Sequence, residues 1–471
     1  MKKYIPLILI EGATVMAVEL CGAKLLSPLY GGSLFVWAAI LAVTLGALAF
    51  GYYYGGVLSS KAEPTKKLFN VLVLAAICIA LMPFLAKYVL PYVSYINFKL
   101  AVILSASGLI FLPIFFLGCT TPLLVRINTV TIESAGLISG KVYAISTVGG
   151  IVSTLLCGFF LIPTLGLKVT LVSFSVILFI TSVLILRIFK TNSTIPFLLV
   201  LLFSVKTVIG SDDASLLYSK YGIMGEIDVV EFQNEKEPIR QLMINEIVQT
   251  EMMLNTKKST SDYIKCIDSL VPSQAQNSNA LILGLGGGLL ANLIEEKNFS
   301  VDAVEFDPRI TESARTFFYL SPTVNCLNED ARAYINRCHK KYNLIIFDVF
   351  KGEEQPVHTI TAECFTKVSE LLAKDGKMII NWHGYINPPL GKGTQILLNT
   401  LHQSSFSTKL IHGKGGEDHR NTLIVCNVDH KIYSNDNELV NTDDQQVLEL
   451  ANAKANLRWR LNYLRFYQGA R

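Results

Sequence analysis

The chain has 471 residues, too many for one ordinary core, so two or three domains are expected. Only 17% of the residues are charged and 51% are hydrophobic, whereas soluble proteins average about 25% charged. A net charge of +4, no basic run of five residues and no interleaving of aromatic with basic side chains argue against a nucleic-acid partner.

The apolar excess lies in the first 210 residues. A spanning helix needs roughly 20 mostly apolar residues. Runs of that kind fall near 4–28, 34–58, 68–90, 98–118, 136–161 and 168–187, with a shorter one near 194–210. They predict a transmembrane bundle of six or seven spans in the lipid bilayer. The first run carries Glu11, Glu19 and Lys24 and lacks a small-residue cleavage motif, so a cleaved signal peptide is not expected. Charges inside spans are costly. They mark either a polar cluster that locks helix packing or an ion path. Gly51 and Gly55 form a GxxxG, and Gly149, Gly150 and Ser153 are further small residues, all suited to close helix contact. Lys and Arg counts in alternate loops put the N-terminus in the cytoplasm. Six spans would then leave the following domain in the cytoplasm, and seven would leave it outside. The expected location is the cell inner membrane, multi-pass, with that domain cytoplasmic.

The texture changes at Ser211. Glu226–Phe232 and Arg240–Ile244 read as short strands of a small β-rich lobe over 211–272. A polar linker, Ser273–Asn279, follows, and then an α/β alternation over 280–430. Ala280–Leu283 is an apolar strand running into Gly284-Leu285-Gly286-Gly287-Gly288 and the helical stretch Leu289–Lys297. Strand, glycine turn and helix in that order make a GxGxG informative, because the backbone can approach a ligand at the helix N-terminus. The next strand, Val301–Phe306, carries Glu305 at its end, placed to accept from ribose hydroxyls. Asn328-Glu329-Asp330-Ala331 follows another short strand, and Asp330, with Ala331 beside it, is placed to accept from an adenine amino group. Leu344–Phe347 is a fourth strand, ending in Asp348. Open α/β sheets bind ligands at the carboxyl ends of their strands, so Asp348 is expected in the glycine loop's crevice. Met378–Asn381 leads to Trp382 and His383, and Lys409–His412 with Leu423–Val428 form a closing antiparallel pair. His358, His383 and Tyr385 are candidate lining residues. The tail, 431–471, is helix-prone. NAD is a competing ligand, but the acidic loop at Asp330 and the lack of a second mononucleotide-binding half favour a methyltransferase-type sheet. The nine cysteines form no CxxC pair and give no zinc signature, so no metal is expected.

These residues resemble the spermidine synthase family, in its membrane-fused branch. The glycine loop with Gly284, Gly286 and Gly288, the ribose-side Glu305 and the adenine-side Asp330 and Ala331 are similar to the family's. Gln241–Thr250 looks like the strand leading to its donor-binding glutamine, here Gln249. Asp348-Val349-Phe350-Lys351-Gly352-Glu353, with Pro356 and His358, looks like the branch's active-site loop. Trp37, Tyr143, Pro163 and Gly166 also read like its membrane half. The resemblance implies an α-helical transmembrane bundle followed by a Rossmann-like domain of the class I methyltransferase and spermidine synthase type. It implies decarboxylated S-adenosylmethionine as donor, putrescine as acceptor, and spermidine and methylthioadenosine as products. Asp348, Glu353 and His358 would be catalytic, and a homodimer is conceivable.

The chain departs from the family at two acids. Gly287 stands where the glycine loop normally carries Asp, and Lys351 where the active-site loop carries a second Asp. The small-lobe Tyr-His/Gln pair reads Tyr263-Ile264. These changes leave open S-adenosylmethionine itself as donor, cyclised or cleaved with no second substrate. A methyltransferase and a non-enzymatic nucleoside-sensing membrane protein are the further alternatives.

Overall fold

The computed structural model describes residues 1–30, 34–93, 98–186, 197, 215–222, 224–233, 237–245, 247–274, 278–350, 356–418, 420–429 and 438–469. The chain divides into two compact units, 1–212 with 220–222, and 213–219 with 223–471.

The first unit is helical: α1 (Ile5–Tyr30), α2 (Leu34–Ser59), α3 (Pro64–Tyr88), α4 (Leu90–Val93), α5 (Phe98–Ala106), α6 (Leu112–Asn128), α7 (Ala135–Leu156) and α8 (Ile162–Leu186). Among the described residues, five helical runs are long and apolar enough to cross a membrane: Lys2–Ser27, Val36–Ser59, Pro64–Tyr88, Leu100–Asn128 and Ile132–Leu186. The sequence segment 136–161 and residues 168–186 of the segment 168–187 lie in the last run, which has 55 residues and would measure about 80 Å if straight. It is not straight. Gly166 adopts φ 81° and ψ 169°, which breaks the helix at the gap between the two segments. The expected loop is therefore one glycine. The segment 194–210 falls outside the described residues, apart from Phe197.

In lipid, apolar side chains gain little by facing each other, so small residues and polar groups select the contacts. At the α1–α7 contact, a Cβ on Gly12 would lie 2.0 Å from the Ser146 carbonyl oxygen, and one on Gly149 would lie 2.1 Å from that of Leu9. The two backbones touch. At the α2–α6 contact the GxxxG does the same work: Cβ atoms on Gly51 and Gly55 would lie 2.5 Å and 2.6 Å from the carbonyls of Phe115 and Cys119. Polar bonds cross these seams. Ser146 Oγ donates to Glu11 at 2.9 Å, and Ser175 Oγ donates from α8 to the Ala76 carbonyl in α3 at 2.7 Å.

The second unit opens with an antiparallel sheet, β1 (Ser215–Gly222), β2 (Gly225–Phe232), β3 (Ile239–Ile244) and β4 (Ile247–Met253), in sequential order. The stretch Gln241–Thr250, expected as one strand, is two: Asn245 at φ 50° turns the chain between β3 and β4. Next come α9 (Asp262–Leu270), β5 (Ser278–Leu283), α10 (Leu289–Glu296), β6 (Phe299–Glu305), α11 (Pro308–Phe317), β7 (Asn325–Asn328), α12 (Ala331–Arg337), β8 (Tyr342–Phe347), α13 (Ala362–Leu371), β9 (Leu372–Trp382), α14 (Lys392–Gln403), β10 (Phe406–His412), β11 (Thr422–Val428) and α15 (Leu448–Gly469).

Seven of these strands form one sheet in the order β10-β11-β9-β8-β5-β6-β7. The pairs among β5 to β9 are parallel, and β11 runs antiparallel to both neighbours. A parallel sheet is covered on both faces, so its central strands read as continuous apolar runs. Ala280–Leu283 and Leu344–Phe347 are such runs, with every side chain at most 1% exposed. Each large one contributes about 1.5–3 kcal/mol by leaving water. One face packs on Ile335, Phe365, Leu397 and Leu448 from α12 to α15, and the other on Ile267, Ile294 and Ala314 from α9 to α11. The small sheet sits over Leu289, Ile310 and Phe318.

The glycine seams predict a position-specific stability effect in the full-length protein in detergent. Gly55→Leu or Gly149→Leu forces touching backbones apart and is expected to lower the melting temperature by several degrees. Gly46→Leu, with nothing within 4 Å of its Cβ position, is expected to leave it unchanged. Equal effects at all three positions would refute the seams.

Candidate active site

The strand order reverses at β5: β6 lies on one side and β8 on the other. Ligands of open α/β sheets bind at such a switch point, where two loops part. The two loops here are the glycine turn after β5 and the segment after β8. They start in contact. Asp348 N–H donates to the Leu283 carbonyl at 2.8 Å, and Gly284 N–H to the Val304 carbonyl at 2.8 Å. Gly284 has φ 90°, and a Cβ there would lie 2.2 Å from the Asp348 carbonyl oxygen. Only glycine fits both demands.

Glu305 ends β6 and reaches back to this turn. Its Oε2 accepts from Leu285 N–H at 3.1 Å and its Oε1 from Asp307 N–H at 2.9 Å. The side chain is 7% exposed. Desolvation raises its carboxyl from 4.5 to about 7, against the pull of the two N–H groups and with the help of the neighbouring Asp307 charge. Gly287 N–H donates to Thr250 Oγ1 at 2.7 Å, which joins the glycine turn to β4. Gly288, at φ 77°, ends the turn as the N-cap of α10.

Asp348 is gripped on both oxygens. Tyr263 Oη donates to Oδ2 at 3.0 Å, and Asn381 Nδ2 donates to Oδ1 at 2.7 Å. Burial raises the Asp348 carboxyl above its ordinary value, and these two bonds counter part of the rise. Burial and the adjacent carboxylate raise the Tyr263 hydroxyl further, so it stays a donor. Asp330 caps α12, accepting from Ala333 N–H at 3.0 Å, and pairs with His358 Nε2 at 3.1 Å. Burial pushes the Asp330 carboxyl up, but these bonds outweigh it and hold the group below its ordinary value.

One cavity of about 810 Å³ collects these groups. Of the residues singled out in the sequence, Gln249, Gly284, Gly286, Glu305, Asp330, Ala331, Asp348, His358 and His383 line it. Gly288 is not among the lining residues. Glu353 and Lys351 lie outside the described residues. Tyr385 does not line the cavity either: it is 5% exposed, and its hydroxyl donates to Asp418 at 2.6 Å. Sequence reasoning missed Thr250, Asn381, Trp459 and Tyr463, all of which line the cavity. Asn381 carried a signal, as a polar residue closing the apolar run of β9. Trp459 and Tyr463 carried none, because the tail helix α15 reaches the site only through tertiary packing. Among the described residues, no three His, Cys, Asp or Glu side chains cluster as a metal site.

No family model matches the chain. Polyamine aminopropyltransferase 2 of Aquifex aeolicus is 23% identical over 393 residues, 79% of this chain and 77% of that protein. Polyamine aminopropyltransferase of Vibrio vulnificus is 38% identical over 110 residues. The chain is spermidine synthase-like. A different activity appears among the relatives too: N-terminal histidine N-methyltransferase of Emericella nidulans is 31% identical over 166 residues. These two shorter matches cover 21% and 33% of this chain, and the chain spans only about a third of either relative's length, 36% and 29%. The Aquifex match runs over most of both proteins.

The raised Glu305 carboxyl predicts a pH dependence. Between its ordinary 4.5 and about 7, the folded protein holds a proton that the unfolded chain releases, so stability falls as pH rises through that window. The loss attributable to this one group is at most about 3 kcal/mol. Glu305→Gln is expected to flatten the fall in melting temperature between about pH 5 and 8. A slope equal to that of the wild type would refute the assignment.

Proposed function

We propose that this chain is a membrane-bound aminopropyltransferase that moves the aminopropyl group of decarboxylated S-adenosylmethionine to an amine, with putrescine as acceptor and spermidine and methylthioadenosine as products. The observation that carries the reading is Asp348, clamped by Tyr263 and Asn381 in the same cavity as the glycine turn, Gln249 and Glu305. The adenosine end fits between the glycine turn, Glu305 and Asp330. The relatives named polyamine aminopropyltransferase support the chemistry. Because the donor is made in the cytoplasm, the second unit is placed on the cytoplasmic side of the inner membrane.

The chemistry needs one base and a fixed geometry. The donor sulfur is a sulfonium, so the propyl carbon bonded to it is open to displacement. The acceptor nitrogen attacks with its lone pair, the carbon–sulfur bond breaks, and its electrons stay on sulfur as the neutral thioether. Asp348 takes the proton that the nitrogen sheds. A carboxylate raised by burial is a better base than one in water, and its clamp aims the oxygens. Holding donor and acceptor in line supplies much of the remaining acceleration.

A second reading has one observation in its favour. A Cβ at Gly287 would lie 2.7 Å from Thr250 Cγ2, so the turn has no room for an acidic side chain without a shift. The donor's amine then lacks its usual carboxylate partner, and S-adenosylmethionine with its own carboxylate is admissible. Attack by the donor's own amine or carboxylate would release methylthioadenosine without an acceptor.

Product analysis with the purified full-length protein decides between them. Decarboxylated donor and putrescine should give spermidine and methylthioadenosine in equal amounts. Asp348→Asn should lower kcat by roughly a hundredfold to ten-thousandfold while leaving donor affinity within a few-fold. Methylthioadenosine from S-adenosylmethionine alone would favour the second reading. S-adenosylhomocysteine would make the protein a methyltransferase, and donor binding with no turnover by the wild type would make it a sensor.

A further inference from the structure

Between β10 and β11 the chain passes the cavity that holds Asp348, and Lys414, Asp418 and Arg420 line it there. This wall is joined to Asp348 by hydrogen bonds. Asn421 Nδ2, next to Arg420 in the chain, donates to Asn381 Oδ1 at 2.7 Å, and Asn381 Nδ2 donates to Asp348 Oδ1 at 2.7 Å. Two cations and one acid thus stand on the wall that carries these bonds.

The nearby acids are engaged elsewhere. Asp418 Oδ1 accepts from Tyr385 Oη at 2.6 Å and from Arg458 Nε at 3.1 Å. Glu417 Oε1 accepts from Ile386 N–H at 3.2 Å and from Asn387 Nδ2 at 2.9 Å. That oxygen stands 3.9 Å from Arg420 Nη2, too far for a hydrogen bond. Arg420 Nη1 reaches the Gly415 carbonyl only at 3.4 Å. A guanidinium carries five N–H donors and keeps its charge at any ordinary pH, so two long contacts leave most of its capacity unused. The side chain is 21% exposed. Nε is buried with no partner among the described residues, so a ligand is met through Nη1 and Nη2. Lys414 is exposed and makes no hydrogen bond or ion pair among the described residues. A planar carboxylate matches the guanidinium fork, two N–H groups on two oxygens, and gains from both cations.

We infer that Arg420, with Lys414 on the same wall, receives a carboxylate at the far end of an acceptor, so that straight-chain ω-amino acids are a further acceptor class for this site besides the diamine. The inference rests on the aminopropyltransferase reading for the near nitrogen, which faces Asp348. That nitrogen attacks the propyl carbon, the carbon–sulfur bond breaks with its electrons left on sulfur, and Asp348 takes the proton that the nitrogen sheds. The products are an N-(3-aminopropyl) ω-amino acid and methylthioadenosine. The carboxylate takes no part in the step, so Arg420 is a specificity residue.

The test uses the full-length protein in detergent, saturated with methylthioadenosine, and calorimetric titration with 4-aminobutanoate and with butylamine, which differ only by a carboxylate in place of a methyl group. The pair 6-aminohexanoate and hexylamine repeats the comparison at longer reach. In at least one pair the wild type should bind the amino acid about tenfold more tightly or better. Arg420→Gln should erase most of that preference. Arg420→Lys keeps the charge but loses the fork, and should retain part of it. A wild type without preference in either pair overturns the inference, and so does an Arg420→Gln variant that keeps the preference. If Arg420→Gln does not fold, Lys414→Gln, at an exposed position, should cut the preference severalfold, and an unchanged preference overturns the inference. S-adenosylmethionine, titrated without methylthioadenosine, covers the donor. If Arg420→Gln weakens its binding and leaves the preference among acceptors as it was, the fork serves the donor and the inference fails. Turnover with decarboxylated S-adenosylmethionine is read separately by mass spectrometry. Spermidine from putrescine, with no aminopropyl product from either amino acid, overturns the inference and leaves the transferase reading standing. An Arg420-dependent preference in a protein that alkylates no amine sinks the transferase reading and leaves the carboxylate site standing.

Discussion

The site depends on one backbone contact, the meeting of Gly284 with Asp348. Parallel pairing of β5 with β8 brings the two chain segments side by side, and the bond from Asp348 N–H to the Leu283 carbonyl fixes their register. A side chain at Gly284 would push the strand ends apart. Because it is absent, the glycine turn and the Asp348 carboxylate share one wall of the cavity. Glu305 then braces the turn through Leu285 N–H, and Thr250 braces it through Gly287 N–H. Each brace comes from a different strand, so the turn is held before any ligand arrives.

The electrostatics follow from the same enclosure. Burial raises the carboxyls of Glu305 and Asp348 and lowers the imidazole of His383. Every group is pushed toward its neutral form by the loss of water, and specific hydrogen bonds resist the push at the carboxylates. Asp348 is the head of a short chain in which Asn381 donates to it and accepts in turn from Asn421. A single carboxylate therefore fixes which way the Asn381 amide points. The helical unit obeys the other version of close contact. There Gly12, Gly51, Gly55 and Gly149 let helix backbones touch, where lipid gives apolar side chains little reason to choose partners.

Much of the fold was legible because its signals are local. Apolar runs of spanning length mark the helices, and short apolar runs ended by an acid mark the parallel strands. Glu305, Asp330 and Asp348 were found because a parallel sheet places the ends of its strands on one rim. The misreading of one strand has a local cause as well. Gln241–Thr250 reads as one strand on the family resemblance, and the positive-φ turn at Asn245 divides it. The break between the expected segments 136–161 and 168–187 falls where the sequence put it, at Gly166.

Sequence by itself determined the order of the two units and the type of sheet, since each follows from periodicity and from residues adjacent along the chain. It could not determine what stands opposite Asp348. Tyr263, Asn381, Asn421, His383, Trp459 and Tyr463 come from four separate segments, and only the packed sheet with α15 laid against it brings them together. The physical reason is range: strand and helix signals are written within a few residues, whereas the hydrogen bonds around Asp348 run between residues tens of positions apart.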